Sequence, residues 1–282
     1  MRVQRLIAQG KSASKQQEWA DLLFRVGDGV GRNTITLPAS LRSSASTHIQ
    51  FIQEIFGDLT SGNIPPEIVA TRAILAPKND DTNEINQVAT DMYPRVEREY
   101  KSVDVSSDPE MGHLLVPEFL NGLQPSGLPP HKLRLKRFMP LILIRNLDKT
   151  RGLANGTRLI LLYMGDKYLQ CRVITGPRKG KEVLIPRLNL ETEQKGKQAF
   201  KFQRRQFPVL PAFALTINRS QGQTLERMGL CLASEIFAYR QGYVALSRCG
   251  EEEGAKIFNP EEIALITPIQ FKLYRRLRNK PQ

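Results

Sequence analysis

Hydrophobic positions near the amino terminus repeat with the spacing of amphipathic helices. Residues 14 to 26 place their apolar side chains on one stripe, and Gly27 follows as a stop signal. A similar stripe predicts a second helix from Ser46 to Phe56. The side chains expected to face a core are Trp19, Leu22, Leu23 and Val26 in the first helix and Ile49, Ile52, Ile55 and Phe56 in the second.

A continuous apolar run from Ile68 to Ala76 predicts a buried strand. The polar loop at residues 77 to 80 follows it, and Asp80 or Asp81 can cap the next helix. This order of strand, loop and helix puts the loop at the carboxyl end of the strand, where open α/β sheets bind ligands. A simple capping turn would also explain the two aspartates.

Buried strands return after residue 207. Val209 to Ile217 and Gly229 to Leu232 are predicted strands, and Tyr239 to Leu246 is a predicted helix. Together with the amino-terminal elements they indicate an α/β fold around a parallel sheet. A basic tail, Lys272 to Lys280, is predicted to be a solvated helix end.

Between residues 100 and 207 the pattern changes to short strands and turns, which favours a small β-barrel inserted into the α/β domain. The Gly- and Pro-rich stretch from residue 121 to 130 is expected to arc between its first strand and the rest. The predicted strands are Lys101–Val105, Leu141–Ile144, Arg158–Tyr163, Tyr168–Thr175 and Glu182–Pro186. The predicted domains are therefore residues 1–100, 101–207 and 208–282.

Positive charge is concentrated in one part of the 282-residue chain, whose formal net charge is +13. Residues 132 to 219 contain 20 Lys and Arg side chains against five acids. Such a concentration suits a polyphosphate backbone; a solvated basic face, or charge that a missing partner domain covers, is the alternative. Basic residues expected to face nucleic acid beside strand ends and aromatic rings are Arg145, Arg158, Lys167 with Tyr168, and Arg204 and Arg205 with Phe207.

Several kinds of site are excluded by spacing. A phosphate-binding loop needs Gly-x-x-x-x-Gly-Lys-Ser/Thr, and the nearest approach, Gly176 to Lys181, is one spacer short and has Glu182 at the hydroxyl position. The glycine cluster at residues 27 to 31 follows a helix rather than a strand, so it does not fit a dinucleotide fingerprint. Both are interpreted as loops.

No metal site and no membrane segment are expected. The three cysteines, at positions 171, 231 and 249, are widely spaced and have no histidine in metal-ligand spacing, so they are interpreted as buried or incidental thiols. No stretch approaches the roughly 20 apolar residues of a membrane span, and the polar start does not resemble a signal peptide. We expect a nuclear location, with mitochondria or cytoplasm as alternatives, and no membrane partner.

Two runs near the carboxyl terminus join apolar segments to polar tips. They are Phe213 to Thr224, which contains Asn218-Arg219-Ser220-Gln221-Gly222, and Gly242 to Arg248. Such segments present polar groups to a nucleotide or phosphate at the edge of an α/β sheet.

These runs resemble the last two motifs of superfamily 1 helicases, and the whole chain resembles the carboxyl-terminal half of the Pif-one-type DNA helicases, above all the version carried by Helitron transposons. The supporting segments lie at residues 19–29, 74–81, 85–86, 119–121, 126–133, 140–148, 152–159 and 204–208. The resemblance implies a RecA-like parallel-sheet lobe, the second of two motor lobes, with an inserted small β-barrel.

The family resemblance implies an ATP-driven motor that moves 5′ to 3′ on single-stranded DNA and separates duplexes at junctions. ATP and Mg²⁺ would be held mainly by a first lobe, in cis or in trans, so this chain alone is expected to bind neither stably and to be inactive. Arg248 matches the arginine finger, which offsets charge on the γ-phosphoryl group, and Arg2 matches a second interface arginine.

The resemblance also assigns DNA contacts and a link to the nucleotide. Asn79, Thr216, Asn218 and Arg219 match positions that meet the sugar-phosphate backbone, and Gln221 with Gly222 matches the point where DNA contact is coupled to the nucleotide. A turn before the next strand would also explain the last pair.

Two departures from the family pattern stand out. Arg219 replaces the usual Lys, and Leu210-Pro211 interrupts a strand that is normally smoother, so this strand begins later or has a bulge. Two other hypotheses stay open: a non-enzymatic single-stranded DNA-binding fragment derived from a transposon, and a truncated gene model whose upstream exon encodes the first lobe. Repair, recombination, telomere maintenance and transposition are all candidate processes.

Overall fold

The structure is a computed structural model, which describes residues 13–28, 38–107, 116–125, 127–148, 150, 152–192, 201–234 and 241–259. Arg2, residues 29–31 of the glycine cluster, residues 239–240 and the basic tail lie outside the described residues. In the part of the chain that is described, no helix has the length and apolar character needed to cross a bilayer.

The secondary structure follows the α/β and β-rich pattern in chain order. The described α-helices are α1 (Ala13–Asp28), α2 (His48–Phe56), α3 (Pro66–Ala70), α4 (Asn79–Met92), α5 (Pro117–Gly122) and α6 (Gln241–Leu246). The described strands are β1 (Arg72–Ala76), β2 (Glu97–Lys101), β3 (Val103–Ser106), β4 (Lys132–Lys136), β5 (Pro140–Leu143), β6 (Arg158–Met164), β7 (Tyr168–Val173), β8 (Glu182–Pro186), β9 (Leu188–Glu191), β10 (Phe202–Gln206), β11 (Val209–Pro211), β12 (Ala214–Thr216), β13 (Arg227–Cys231) and β14 (Ala255–Phe258).

The chain divides into two compact units. The first consists of residues 1–64, 71–89 and 213–282, and the second of residues 65–70 and 90–212. The second unit thus also includes α3, β11 and all of β2 except Lys101, which lie outside the range from 101 to 207 expected for the insert.

A four-stranded parallel sheet forms the centre of the first unit, in the order β12-β1-β13-β14. Strand β1 is buried along residues 73–76, as a strand covered on both faces requires. The predicted α/β fold with a parallel sheet is therefore confirmed. Strand β14 was missed because Ala255–Phe258 is too short to give a pattern of its own.

Helix α2 packs on the sheet through a face that differs by one side chain from the predicted one. Phe51, Ile52, Ile55 and Phe56 are buried, whereas Ile49 is 51% exposed, so the prediction for Ile49 is wrong. Position 51 lies one turn before position 55, whereas position 49 lies six residues before it, toward the edge of the stripe. A Cβ atom at Gly229 would lie 2.6 Å from Phe51 Cζ, so this glycine is what lets α2 approach β13.

Two predicted strands are broken by proline. The run from Ile68 to Ala76 is not a single strand, because Pro66 starts α3, where its fixed φ and missing N–H are tolerated. The run from Val209 to Ile217 divides after Pro211 into β11, which pairs antiparallel with β5, and β12, which pairs parallel with β1. The interruption expected at Leu210-Pro211 is thus a change of sheet.

The second unit contains antiparallel sheets of five, three and two strands, in the orders β11-β5-β6-β7-β8, β3-β10-β9 and β2-β4. The prediction of one strand from Lys101 to Val105 is wrong, since the chain changes sheets at Ser102. The Ser102 hydroxyl donates to Asp104 Oδ1 at 2.6 Å, and its N–H donates to His131 O at 2.9 Å. Strands β4, β9 and β10 were missed, because their burial alternates over only four or five residues.

A buried ion pair lies at the centre of the second unit. The side chains of Arg204 and Asp104 are both 0% exposed, and Arg204 Nη2 lies 2.6 Å from Asp104 Oδ2. The remaining guanidinium donors reach the carbonyl oxygens of Leu120, Leu123 and Pro129 at 3.0 to 3.2 Å. One side chain therefore joins β3, β10, helix α5 and the glycine- and proline-rich stretch.

Part of the nucleic-acid face expected from the sequence is buried, so that part of the prediction is wrong. Arg204 and Phe207 are fully buried and cannot meet a ligand. Arg158 is 1% exposed, donates from Nη2 to Ala212 O at 3.3 Å, and has its pKa lowered to about 10 by burial. The sequence count of positive charge thus overstates what the surface presents.

We expect Arg204→Met to lower the free energy of unfolding by about 3–5 kcal/mol, because Asp104 is left as a buried carboxylate without its cation. Urea unfolding followed by circular dichroism measures the change. The double variant Asp104→Leu with Arg204→Met should recover most of it, and the exposed neighbour Arg205→Met should stay within about 0.5 kcal/mol. If Arg204→Met lowers the free energy of unfolding no more than Arg205→Met does, the ion pair of Arg204 with Asp104 does not hold the second unit together.

Candidate nucleic-acid interface

The candidate interface lies at the carboxyl edge of the parallel sheet in the first unit. Ala76, the last residue of β1, is the register partner of Thr216, the last residue of β12. The chain therefore leaves both strands at the same edge. Asn79 follows β1 at the start of α4, and Asn218 and Arg219 follow β12 in a 3₁₀ turn at residues 217–220.

A side-chain clamp fixes β12 against helix α4. Asn86 Nδ2 donates to Ala214 O at 2.9 Å, and Ala214 N–H donates to Asn86 Oδ1 at 2.9 Å. The amide side chain thus replaces a neighbouring strand on the outer side of β12, which is the edge of the described sheet. Asn86 belongs to the segments that carry the family resemblance, but its spacing gave no sign of this role.

The turn after β12 is built from both buried anchors and exposed polar tips. Ile217 and Ser220 are buried, and the Ser220 hydroxyl donates to Ile217 O at 2.7 Å. Asn218 and Gln221 are exposed. Gly222 has φ +79°, a left-handed conformation that favours glycine and lets the chain turn back.

Arg219 is a half-buried cation in this turn. Burial lowers the pKa of its guanidinium. Among the described residues, no hydrogen bond or ion pair of its side chain is found, although its backbone carbonyl accepts from Gln223 Nε2 at 3.1 Å. Because a charge that is partly removed from water gains from an opposite charge, this position suits an anion supplied by a ligand.

Arg248 lies just after helix α6 and is half-buried. Its Nε donates to Val244 O at 2.9 Å, its Nη2 to Ser247 Oγ at 2.8 Å, and its Nη1 to Gln223 O at 3.5 Å. In addition, Leu225 N–H donates to Arg248 O at 3.0 Å. These bonds join the segment that follows β12 to the end of α6.

The other expected site residues are distributed as follows. Asn79, Asn218, Gln221 and Gly222 are exposed at the edge of the sheet, whereas Thr216 is only 9% exposed. Arg219 and Arg248 are connected through Gln223, which bonds to both. Arg2 lies outside the described residues.

Sequence reasoning missed a contact at this edge between the segment after β13 and helix α4. The Ser234 hydroxyl, after β13, donates to Asp81 Oδ1 at 3.1 Å in the first turn of α4. Asp81 is one of the two aspartates expected as a cap, but a bond that joins residues 153 positions apart leaves no local pattern. Lys78, next to Asn79, adds an exposed cation.

The thiols and acids give no sign of metal chemistry. Within the described ranges, no group of three or more His, Cys, Asp or Glu side chains could hold a metal ion. Cys171, Cys231 and Cys249 are buried and unbridged, and burial raises the pKa of Cys171 to about 12 and that of Cys231 to about 11. They are therefore thiols rather than thiolates at neutral pH.

Comparison with known proteins points to one family. Residues 118–164 match the family described as DNA helicase Pif1, 2B domain. The chain is 29% identical over 218 residues to an ATP-dependent DNA helicase PIF1 of Xenopus laevis and 30% identical over 224 residues to one of Danio rerio. Each match covers 76% of this chain and 31% of the relative, so the chain spans about a third of the length of these relatives.

Solved structures show the same fold. A Pif1 helicase from Candida albicans superposes with a TM-score of 0.59 at 22% identity, over 93% of this chain and 58% of that chain. A Bacteroides Pif1 bound to single-stranded DNA gives a TM-score of 0.52 at 23% identity, over 73% of this chain and 45% of that chain. The expected RecA-like lobe with an inserted domain is confirmed by these folds.

We expect Asn86→Ala to lower the free energy of unfolding by about 2 kcal/mol, because it removes two hydrogen bonds and leaves the backbone groups of Ala214 without partners. Hydrogen exchange followed by mass spectrometry should show faster exchange at residues 212–216. Gln87→Ala, an exposed change on the same helix, is the control and should alter neither quantity. Equal exchange in both variants would show that Asn86 does not hold β12.

Proposed function

We propose, from the relationship of this chain to the Pif1-type DNA helicases, that it is the second motor lobe and inserted domain of an ATP-dependent DNA helicase. The curated relatives are named ATP-dependent DNA helicases, and the fold supports the same architecture. The observation that carries the proposal is the shared strand edge, where Asn79 and Asn218 are exposed beside the half-buried Arg219.

Contact with DNA at this edge would be made through the backbone. Short amide side chains and a guanidinium can bond phosphate oxygens without reading bases, which a protein that moves along a strand requires. The Bacteroides neighbour is described as bound to single-stranded DNA, which supports the same class of ligand here. Thr216 is largely buried, so it would contribute by ending the strand rather than by an extensive contact with DNA.

A chain of hydrogen bonds offers a route from DNA contact to ATP hydrolysis. Gln223 bonds to the backbone of Arg219 and accepts from the guanidinium of Arg248. A shift of the turn after β12 on binding a phosphate would therefore alter the hydrogen bonds that hold Arg248. As an arginine finger, Arg248 would exchange its bonds to Val244 and Ser247 for γ-phosphoryl oxygens.

The residues of this chain supply only part of what a nucleotide site requires. Arg248 supplies donors suited to a phosphoryl group, and Gln221 and Gly222 lie exposed in the segment bonded to it. The 282 residues contain no phosphate-binding loop, and the described residues contain no group of acids suited to magnesium. ATP and Mg²⁺, which supply the phosphoryl-transfer chemistry when bound, would therefore be held by a first lobe, in cis or in trans.

The finer parts of the proposal follow the family resemblance. They are 5′-to-3′ movement, action at duplex junctions, a Helitron-like origin, a nuclear location, and a role in repair, recombination, telomere maintenance or transposition. None of them depends on the geometry of the strand edge.

The second candidate is a non-enzymatic single-stranded DNA-binding protein derived from a transposon helicase. The lack of a phosphate-binding loop, together with 20 basic residues against five acids in residues 132–219, favours it. It predicts DNA affinity that falls with salt and that no nucleotide alters.

We expect Arg219→Gln to weaken binding to oligo(dT) and to reduce the slope of log K against log salt by about 0.7, since one phosphate contact is lost. Fluorescence anisotropy across a salt series measures both quantities. Arg25→Gln removes an exposed arginine on α1, in the same unit, and should leave the salt slope unchanged. An unchanged slope for Arg219→Gln would place the strand elsewhere.

We expect the purified chain to show no ATP turnover with oligo(dT), and turnover to appear when the separately produced first lobe of the Danio rerio relative is added. Arg248→Ala should then lower the rate by at least about 10³-fold, because arginine fingers contribute about that much. Arg248→Lys keeps the charge but not the forked donors, and Arg25→Ala is the control for the preparation.

Two outcomes would decide against this proposal. Turnover by the purified chain alone, abolished by Arg248→Ala, would show that it binds ATP by itself. DNA affinity that no nucleotide alters in the presence of the first lobe would favour the non-enzymatic candidate.

A further inference from the structure

We propose that the second unit carries another single-stranded nucleic-acid surface, separate in sequence from the strand edge and built on the turn between β6 and β7. We call it the tyrosine patch, and its residues are Arg98, Tyr163, Lys167, Tyr168, Arg187 and Arg205. It rests on the proposed function only in that the ligand is single-stranded DNA.

Two exposed aromatic rings form the apolar part of the tyrosine patch. Tyr163 is 53% exposed and Tyr168 is 42% exposed, and their ring centroids lie 6.2 Å apart at 39°. Leu184, on the neighbouring strand β8, is also exposed. Because large rings are usually buried, two neighbouring rings in water indicate a surface that a planar apolar partner covers.

The turn that carries the rings is held from β2. Gly165 N–H donates to Tyr168 O at 3.1 Å, and the Tyr100 hydroxyl donates to Gly165 O at 3.0 Å. Arg98 donates from Nη1 to Met164 O at 2.8 Å and forms an ion pair with Asp166. The ring positions are therefore organised before any ligand binds, which lowers the entropy cost of binding.

Gly165 allows the close approach inside this turn. A Cβ atom at Gly165 would lie 2.8 Å from Tyr168 O and 3.2 Å from Tyr163 Cε1. A side chain here would push Tyr163 away from the turn. The glycine thus serves the arrangement of the rings, because its backbone has no left-handed φ that would require it.

Cations surround the turn and repel one another. The guanidinium carbon of Arg98 lies 5.0 Å from the centroid of the Tyr100 ring, and that of Arg187 lies 5.6 Å from the same centroid. The pKa of Arg187 is lowered first by burial and further by the nearby charges of Arg205 and Arg98. Lys167 is an exposed cation of the turn itself.

Acids offset these charges only in part. Asp166, which pairs with Arg98, is the acid that raises the pKa of Arg187. Like charges that act on one another cost free energy, and a polyanion relieves the cost.

Rings and cations together fit single-stranded DNA better than a protein or a duplex. Unpaired bases offer flat apolar faces for Tyr163 and Tyr168, and the phosphates between them offer charge to the arginines and Lys167. A duplex keeps its base faces stacked inside, and an acidic protein would not need two rings side by side. Stacking is independent of base identity, so we expect binding without sequence preference.

The test is equilibrium binding of the full chain to dye-labelled oligo(dT) and to an abasic strand of equal length, followed by fluorescence anisotropy. We expect the double variant Tyr163→Leu with Tyr168→Leu to bind oligo(dT) at least about tenfold more weakly and the abasic strand almost unchanged. Replacing both tyrosines with Phe keeps the rings and should stay within about twofold of the unaltered chain.

Leu184→Ala is the matched control, because it removes an exposed apolar side chain from the same sheet without removing a ring, and it should also stay within about twofold. Photo-crosslinking of an iodouracil-containing strand should label Tyr163 or Tyr168. Unchanged affinity of the double Leu variant, or an equal loss for both strands, would overturn the tyrosine patch while leaving the strand edge in place. Failure of the unaltered chain to bind any single strand at low salt would overturn the proposed function and the patch together.

Discussion

The candidate interface depends on the parallel pairing of β1 with β12. Only three residues on each strand are in register, so the pairing contributes few hydrogen bonds of its own. Asn86 adds two hydrogen bonds from the outer side of β12 and so holds this very short edge strand in place. Without that alignment, the loop that leads to Asn79 and the turn that holds Arg219 would not leave the sheet at the same edge. The polar groups would then no longer lie together at one edge of the sheet, as the proposed interface requires.

The second unit depends on a different interaction, the buried ion pair of Arg204 with Asp104. The guanidinium of Arg204 donates hydrogen bonds to Asp104 and to three carbonyl oxygens of the neighbouring helix and loop. A buried pair of this kind adds little net stability over an apolar core, but it tolerates no missing partner. Its value lies in specifying which segments meet. Basic residues in this part of the chain therefore have two roles, since Arg204 and Arg158 are internal while Arg187 and Arg205 remain at the surface.

Much of the fold could be predicted from the sequence, since helices α1 and α2 and the strands β5 to β8 have clear hydrophobic periods. The departures have local causes that a period does not contain, such as Pro66 starting a helix and Pro211 ending a strand. At the site, the exposed positions of Asn79, Asn218 and Gln221 agree with their polar, loop-forming sequence. The bonds of Asn86 to Ala214 and of Ser234 to Asp81 could not be predicted, because they join residues far apart in the chain.

The short connection between β11 and β12 has a practical consequence for anyone who modifies this protein. Ala212 and Phe213 are its only residues, and both are fully buried. The N–H of Ala212 is bonded to Pro140 O, and the carbonyl of Phe213 accepts from Ile74 N–H. An affinity tag or fluorescent reporter inserted at this junction would have to break bonds on both sides. The turn at Asn155-Gly156 is no easier a site for such a fusion, because Gly156 has φ +92° and its N–H donates to Leu143 O at 2.8 Å.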